Sequence, residues 1–175
     1  ALANELIQKD RVVAIIGPSR SGSSMAIIPV ITQHKIPLVS CAAAETIISP
    51  ADKREWVFKT AQKDSQVIEH IFLKMKAMGL SKAGIITGPT DFGKEGRRQL
   101  KEIAATMGIE IVADETYAPN ATDMTAQLTK IKETEAQAVI NWSIVEAQTI
   151  VPKNMKQLKM EQPLFQSHGF GNVKF

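Results

Sequence analysis

The segment Gly17-Pro-Ser-Arg-Ser-Gly-Ser-Ser24 closes a short apolar run and opens a helical pattern. Unpaired amides at a helix start, together with its partial positive charge, make a natural site for an anion. Ser21, Ser23 and Ser24 add hydroxyl donors, and Arg20 adds a charge. The same residues would also serve simply to cap the helix, so both readings stand at this point. The spacing Gly17-x4-Gly22-Ser23-Ser24 approaches the phosphate loop GxxxxGK[ST] but lacks its lysine. No acidic residue closes a buried strand to hold magnesium, which argues against a nucleotide hydrolase.

Four further segments carry chemistry-bearing residues. Ser40-Cys-Ala-Ala-Ala-Glu-Thr46 places three alanines where a backbone can be approached closely, or where a turn packs tightly on a sheet. Thr87-Gly-Pro-Thr-Asp-Phe-Gly-Lys-Glu-Gly96 follows a strand pattern and puts Phe92 either at a cleft or in the core. Asn141-Trp142-Ser143 ends another strand, with Trp142 suited to a ligand wall or to covering the sheet. Ser167-His168-Gly169-Phe170-Gly171-Asn172 ends the last one, its glycines implying a tight or mobile backbone. Cys41 is the single cysteine, which excludes an intrachain disulfide; with no base specified for it, a small buried apolar residue is the simpler reading. His34, His70 and His168 are far apart and show no ligand spacing, so neither a metal nor another cofactor is expected.

These residues sit on a regular scaffold. The 175 residues are 44% hydrophobic and 22% charged, ordinary values for a packed globular chain. Basic residues number 21 against 18 acidic ones, and they are scattered; Lys94, Arg97, Arg98 and Lys101 read as a solvated helix face. Nucleic-acid binding, which concentrates basic charge on one face, is not expected. No run approaches the ~18 apolar residues of a membrane span. Strands are predicted at Val12–Ile16, 36–40, 56–58, 83–87, 109–112, 138–141 and 164–165. Helices are predicted over 2–9, 22–34, 65–78, 92–107, 124–134 and about 145–158, with Pro152 kinking the last or marking its first turn. Val12–Ile16 is apolar at every position, which suits a strand buried on both faces. This βα alternation predicts an α/β fold with parallel sheets flanked by helices, and ligands in such sheets bind beyond the carboxyl ends of the strands.

The order of several pieces resembles one family. They are Ile15-Ile-Gly-Pro18 with its serine-rich helix start, Pro37-Leu-Val-Ser40 with Ala42-Ala43-Ala44, and Phe58-Lys-Thr60 followed by Asp64. Then come Thr87-x3-Asp91-Phe92-Gly93-x2-Gly96, Pro119-x-Ala-Thr122-Asp123-x4-Gln127-Leu128, and Gly169-x-Gly171. Together they are similar to the type I periplasmic solute-binding proteins of the leucine/isoleucine/valine-binding family of ABC importers.

The resemblance implies two lobes with a solute trapped between them, and a chain that begins and ends in mid-fold, its signal peptide lying elsewhere. It assigns residues 1–58 to part of one lobe, 59–63 to the hinge crossover, and 64–175 to most of the other. It implies that Ser21 binds a solute carboxylate through hydroxyl and amide, that Ala42 and Ala44 offer backbone groups, and that Asp64 orders the cleft. Phe92 stands where a ring packs on the solute, and His168-Gly169 where Glu-Gly is common. Trp142 joins this set as a candidate wall.

Ala44 lacks the hydroxyl frequent at its position, and His168 lacks the carboxylate that pairs with an α-ammonium; a buried ammonium without that partner is costly. The expected solute is therefore a small carboxylate, either a branched-chain amino acid or an aromatic or other organic acid. The implied partner is the membrane permease of an importer, and the implied location is periplasmic or extracellular. A ligand-sensing ectodomain of a receptor or regulator is the alternative. An enzyme would need a nucleophile–base pair or a phosphate lysine, and neither is visible.

Overall fold

A computed structural model describes residues 2–171. The chain divides into two compact units, Ala1–Asp64 and Ser65–Phe175.

The first unit opens with helix α1 (Leu2–Gln8). Strands β1 (Ile15–Ile16), β2 (Leu38–Ser40) and β3 (Val57–Lys59) form a parallel sheet in that order. Helix α2 (Ser21–His34) crosses from β1 to β2 and ends on Lys35 in the left-handed conformation. Ile28 and Ile31 of α2 pack with Ile15, Leu38, Ile47 and Val57 in one apolar cluster. Between β2 and β3 the chain makes two single 3-10 turns, Glu45–Ile47 and Ala51–Lys53.

The expectation for the first strand fails. Val12–Ile16 is not a strand buried on both faces: only Ile15 and Ile16 pair, on one side, with β2. Val13 is 85% and Ile16 79% exposed. β1 is an edge strand of the described sheet, so an all-apolar run has one neighbour rather than two.

In the second unit, β4 (Lys82–Thr87), β5 (Glu110–Thr116), β6 (Ala138–Trp142) and β7 (Leu164–Gln166) form a parallel sheet ordered β5-β4-β6-β7. Helices α3 (Asp64–Ala77), α4 (Asp91–Met107), α5 (Thr125–Lys132) and α6 (Ile150–Gln157) connect and follow the strands. β4 and β6 are buried along almost their whole length, as strands covered on both faces must be. Leu128, Ile131, Val151 and Met155 from α5 and α6 pack with Ile86 and Val139 of those strands.

Local chemistry explains the helix boundaries. Thr90 caps α4 by accepting the Gly93 amide at 3.3 Å, and Gly108 ends it at φ +67°. Pro152 falls in the first turn of α6, where its missing N–H costs nothing, and a 3-10 turn (Glu146–Thr149) leads in. β5 runs four residues beyond its predicted end because Asp114 and Glu115 lie on an edge strand, where charges are tolerated. Asp114 accepts from Arg97 at 2.6 Å and Lys101 at 3.0 Å, so part of the basic face of α4 is ion-paired rather than simply solvated.

Candidate functional site

In the second unit the chain passes from β4 to β5 on one side and then to β6 on the other. The switch point therefore lies between the carboxyl ends of β4 and β6, the place where such sheets open for a ligand. Phe92, Trp142 and His168 meet there. The ring centroids are 5.7 Å apart for Phe92–Trp142, 5.1 Å for Phe92–His168 and 5.5 Å for Trp142–His168, with the imidazole plane nearly perpendicular to both partners.

Small residues permit this convergence. A Cβ on Gly93 would run into the Gly88 carbonyl, so the first turn of α4 rests directly on the turn after β4. A Cβ on Gly96 would lie 2.6 Å from Trp142 Cε2 and closer still to Nε1 and Cδ1. The indole is thus pressed flat against α4. Trp142 is fully buried, and its N–H finds no acceptor among the described residues. Trp142 is a floor beneath Phe92 and His168 rather than a wall open to solvent. Phe92 is almost wholly buried, while His168 is partly exposed in the 3-10 turn His168–Phe170. Gly169 backs onto the Ser143 carbonyl, where a Cβ has no room.

Hydrogen bonds tie these strand ends together. Ser167 Oγ donates to the Ser143 carbonyl at 3.1 Å, and the Gly88 amide donates to the Trp142 carbonyl at 3.0 Å. Tyr117 donates to Asn141 Oδ1 at 3.1 Å, and Asn141 Nδ2 donates to Gln166 Oε1 at 2.7 Å. Burial of the Tyr117 hydroxyl pushes it up to about 12, with Ser143 pulling weakly the other way. Gln148, also fully buried, reaches the Gly169 carbonyl at 3.5 Å.

In the first unit, Ser21 is the first residue of α2, and Arg20 before it supplies no side-chain cap. The opening amides of a helix have no intrahelical acceptor, so those of Ser21, Gly22 and Ser23 stand open, in contrast to the capped start of α4. The serines and alanines interlock. The Ala44 amide donates to Ser21 Oγ at 3.3 Å and the Ala42 amide to Ser40 Oγ at 3.1 Å. Ser24 and Ser40 share a hydrogen bond of 2.7 Å.

The amides of Ala42 and Ala44 are therefore engaged within the unit, and Ser21 keeps its hydroxyl hydrogen for another acceptor. Cys41 is exposed, against the expectation of a small buried residue. Asp64 is fully buried at the start of α3. Sequence reasoning missed Lys59 at the end of β3, whose ammonium donates to the carbonyls of Ala43 and of Gln62. It missed Gln148 as well. A lysine at a strand end and a glutamine in a 3-10 turn carry no pattern that separates them from solvated residues.

The chain is thus a parallel α/β fold in two units, each gathering polar or aromatic groups at its strand ends. The family model described as periplasmic binding protein matches residues 1–168, and the chain belongs to that family.

Among solved structures, an extracellular ligand-binding receptor from Rhodopseudomonas palustris HaA2 is 28% identical, with a TM-score of 0.86, over 95% of this chain and 46% of its own. A branched-chain amino acid ABC transporter from Thermus thermophilus with bound valine shares the fold at 16% identity and a TM-score of 0.87, over 97% of this chain and 44% of its own. A solute-binding protein of an ABC transporter from Rhodopseudomonas palustris HaA2, in complex with p-hydroxybenzoic acid, shares it at 21% and 0.84, over 97% and 47%. The mouse taste receptor type 1 member 1 is 27% identical over 99 residues, which is 57% of this chain and 12% of the receptor. The chain thus spans about half the length of the solved structures it matches.

Proposed function

We propose that this chain is part of a periplasmic or extracellular solute-binding protein that captures a small carboxylate and hands it to the permease of an ABC importer, making and breaking no bond. The observation that carries this reading is the start of α2, which has no side-chain cap and whose first residue, Ser21, accepts the Ala44 amide and so keeps a hydroxyl hydrogen to donate. A carboxylate satisfies such donors with charge-assisted bonds.

At the strand ends of the second unit the usual glutamate is replaced by imidazole, set against the buried rings of Phe92 and Trp142. Those groups favour an aromatic acid, with a hydroxyl as partner for the neutral imidazole, over an α-amino acid. A solute known for one relative of this fold, p-hydroxybenzoic acid, has that chemistry. Ala42, Ala44 and Gly169 then act through their small size and backbone, Asp64 by ordering the connection into α3, and Trp142 as the floor under Phe92 and His168. Capture follows from differential affinity for a closed state reached by a hinge near residues 59–63.

Calorimetry of the full chain against 4-hydroxybenzoate, benzoate, leucine and valine tests the reading. Binding of the two aromatic acids, weakened in Ser21→Ala, is the expected result. Nanomolar leucine binding would end the aromatic assignment, and an unchanged affinity in Ser21→Ala would end the role of the α2 start. A second reading, a ligand-sensing ectodomain, is favoured by the likeness to a taste receptor. An output or membrane domain in the same full-length gene product would select it.

A further inference from the structure

One peptide group in the first unit is held at both ends. Its N–H, from Ala44, donates to Ser21 Oγ at 3.3 Å. Its carbonyl, from Ala43, accepts from the ammonium of Lys59, which also donates to the Gln62 carbonyl at 3.1 Å. Lys59 is the last residue of β3, in register with Ser40 of β2. A long cationic side chain at a strand end ordinarily sends its ammonium into water; this one turns back onto two backbone carbonyls. The charged groups facing it are Asp64 from the first turn of α3, Glu45 from the 3-10 turn beyond the alanines, and Lys63 from the crossover. Burial pulls Lys59 below the ordinary lysine value, with Asp64 and Glu45 opposing and Lys63 adding to the shift. The parallel tie between Lys63 and Glu45, at 3.5 Å with both side chains partly exposed, is screened by water and contributes little.

We propose that Lys59 is a positioning residue of the carboxylate site: it fixes the plane of the Ala43–Ala44 peptide and thereby aims the Ser21 hydroxyl. The peptide is planar, so it cannot turn at one end without turning at the other. A cation on its carbonyl polarises the group and strengthens the N–H as a donor to Ser21 Oγ. With that oxygen's acceptor side occupied, the hydroxyl hydrogen points away, toward an external anion. Lys59 thus acts without touching the solute, and it links the crossover to the turn through Gln62. The role rests on the carboxylate reading of Ser21, but the clamp itself is observable without a solute.

The test uses the full chain with Lys59→Met, Lys59→Arg and, as control, Lys63→Met. Hydrogen exchange of the Ala44 amide is expected to speed up about tenfold or more in Lys59→Met, the scale of losing a hydrogen bond to a charged group. Arginine should restore most of the protection, and Lys63→Met should leave it alone. In the wild-type chain the Ala43 carbonyl carbon resonance should titrate with a midpoint below 10.5, and this step should vanish in Lys59→Arg. That measurement needs no destabilised variant. Affinity for 4-hydroxybenzoate should fall about tenfold in Lys59→Met and recover in Lys59→Arg.

Unchanged Ala44 exchange, or a carbonyl resonance blind to Lys59, overturns the proposal. So does undiminished 4-hydroxybenzoate affinity in Lys59→Met beside a wild type that binds it. If the exchange and carbonyl effects appear but the wild type binds no carboxylate, the clamp stands and the carboxylate reading of Ser21 falls.

Discussion

Gly96→Ala separates space from backbone preference in one residue. Gly96 lies inside α4, where alanine is the better helix former by about 1 kcal/mol. Its backbone is not left-handed, so conformation does not demand glycine. Only the indole of Trp142 does, since an added methyl would sit 2.6 Å from Cε2 and nearer to two other ring atoms. Trp142 is fully buried and in ring contact with Phe92 and His168, so a retreat of the indole would have to displace those neighbours. Overpacking of this kind costs about 1–3 kcal/mol. Set against the helix gain, the net loss is up to about 2 kcal/mol, or a fall in Tm of up to roughly 8 °C for a chain of this size.

The partner variant is Trp142→Phe, which opens space and removes an indole N–H that has no acceptor. In that background Gly96→Ala should cost at least ~1 kcal/mol less than it does alone. Thermal and urea unfolding of the four proteins of this cycle provide the measurement. A single Gly96→Ala variant more stable than wild type by its helix propensity, or a cycle that closes additively, would refute the account of why α4 carries a glycine there.

Three further outcomes follow from the same geometry. Ser21→Ala leaves the buried Ala44 amide without its acceptor and should cost about 1–3 kcal/mol by urea unfolding, besides its effect on carboxylate affinity. Tyr117 is the single tyrosine, so the ultraviolet absorbance of phenolate should appear near about 12 in the folded chain and near ~10 in urea. The folded state holds that proton more tightly, so stability contributed at Tyr117 is full below ~10 and is lost as pH rises through about 12; Tyr117→Phe should flatten this alkaline slope. His168→Glu should weaken 4-hydroxybenzoate binding and raise leucine affinity by about tenfold or more, because a carboxylate there could pair with an ammonium; calorimetry of both ligands checks it.

The βα alternation was legible because apolar runs and glycine or threonine boundaries agree at most elements, as at Thr90 and Gly108 around α4. Two misreadings and one reading left open share a cause. Val12–Ile16 is apolar at each position, and apolarity cannot report how many neighbours a strand has. Trp142 reads equally as wall or floor until Gly96, which lies far from it in sequence, is seen to press on it. β5 was cut short because Asp114 and Glu115 look like loop residues, although they face ion-pairing partners Arg97 and Lys130. Lys59 and Gln148 were invisible for the same reason: their roles are set by carbonyls brought near by the fold. The serine turn and the strand-end aromatics stand out in the sequence as candidates because each follows a strand; which amides are already engaged does not.

The contrast between the two helix starts has a practical corollary. Thr90 completes α4 from within, whereas α2 begins on Arg20 and keeps its first donors open. On the carboxylate reading of Ser21, the same donors are offered to other small acids. Phosphate, acetate or formate in a buffer would become competitors, and a dissociation constant measured among them would be the ratio of two exchanges. A weak natural solute could vanish behind them, so the choice of counter-ion decides whether a screen sees it.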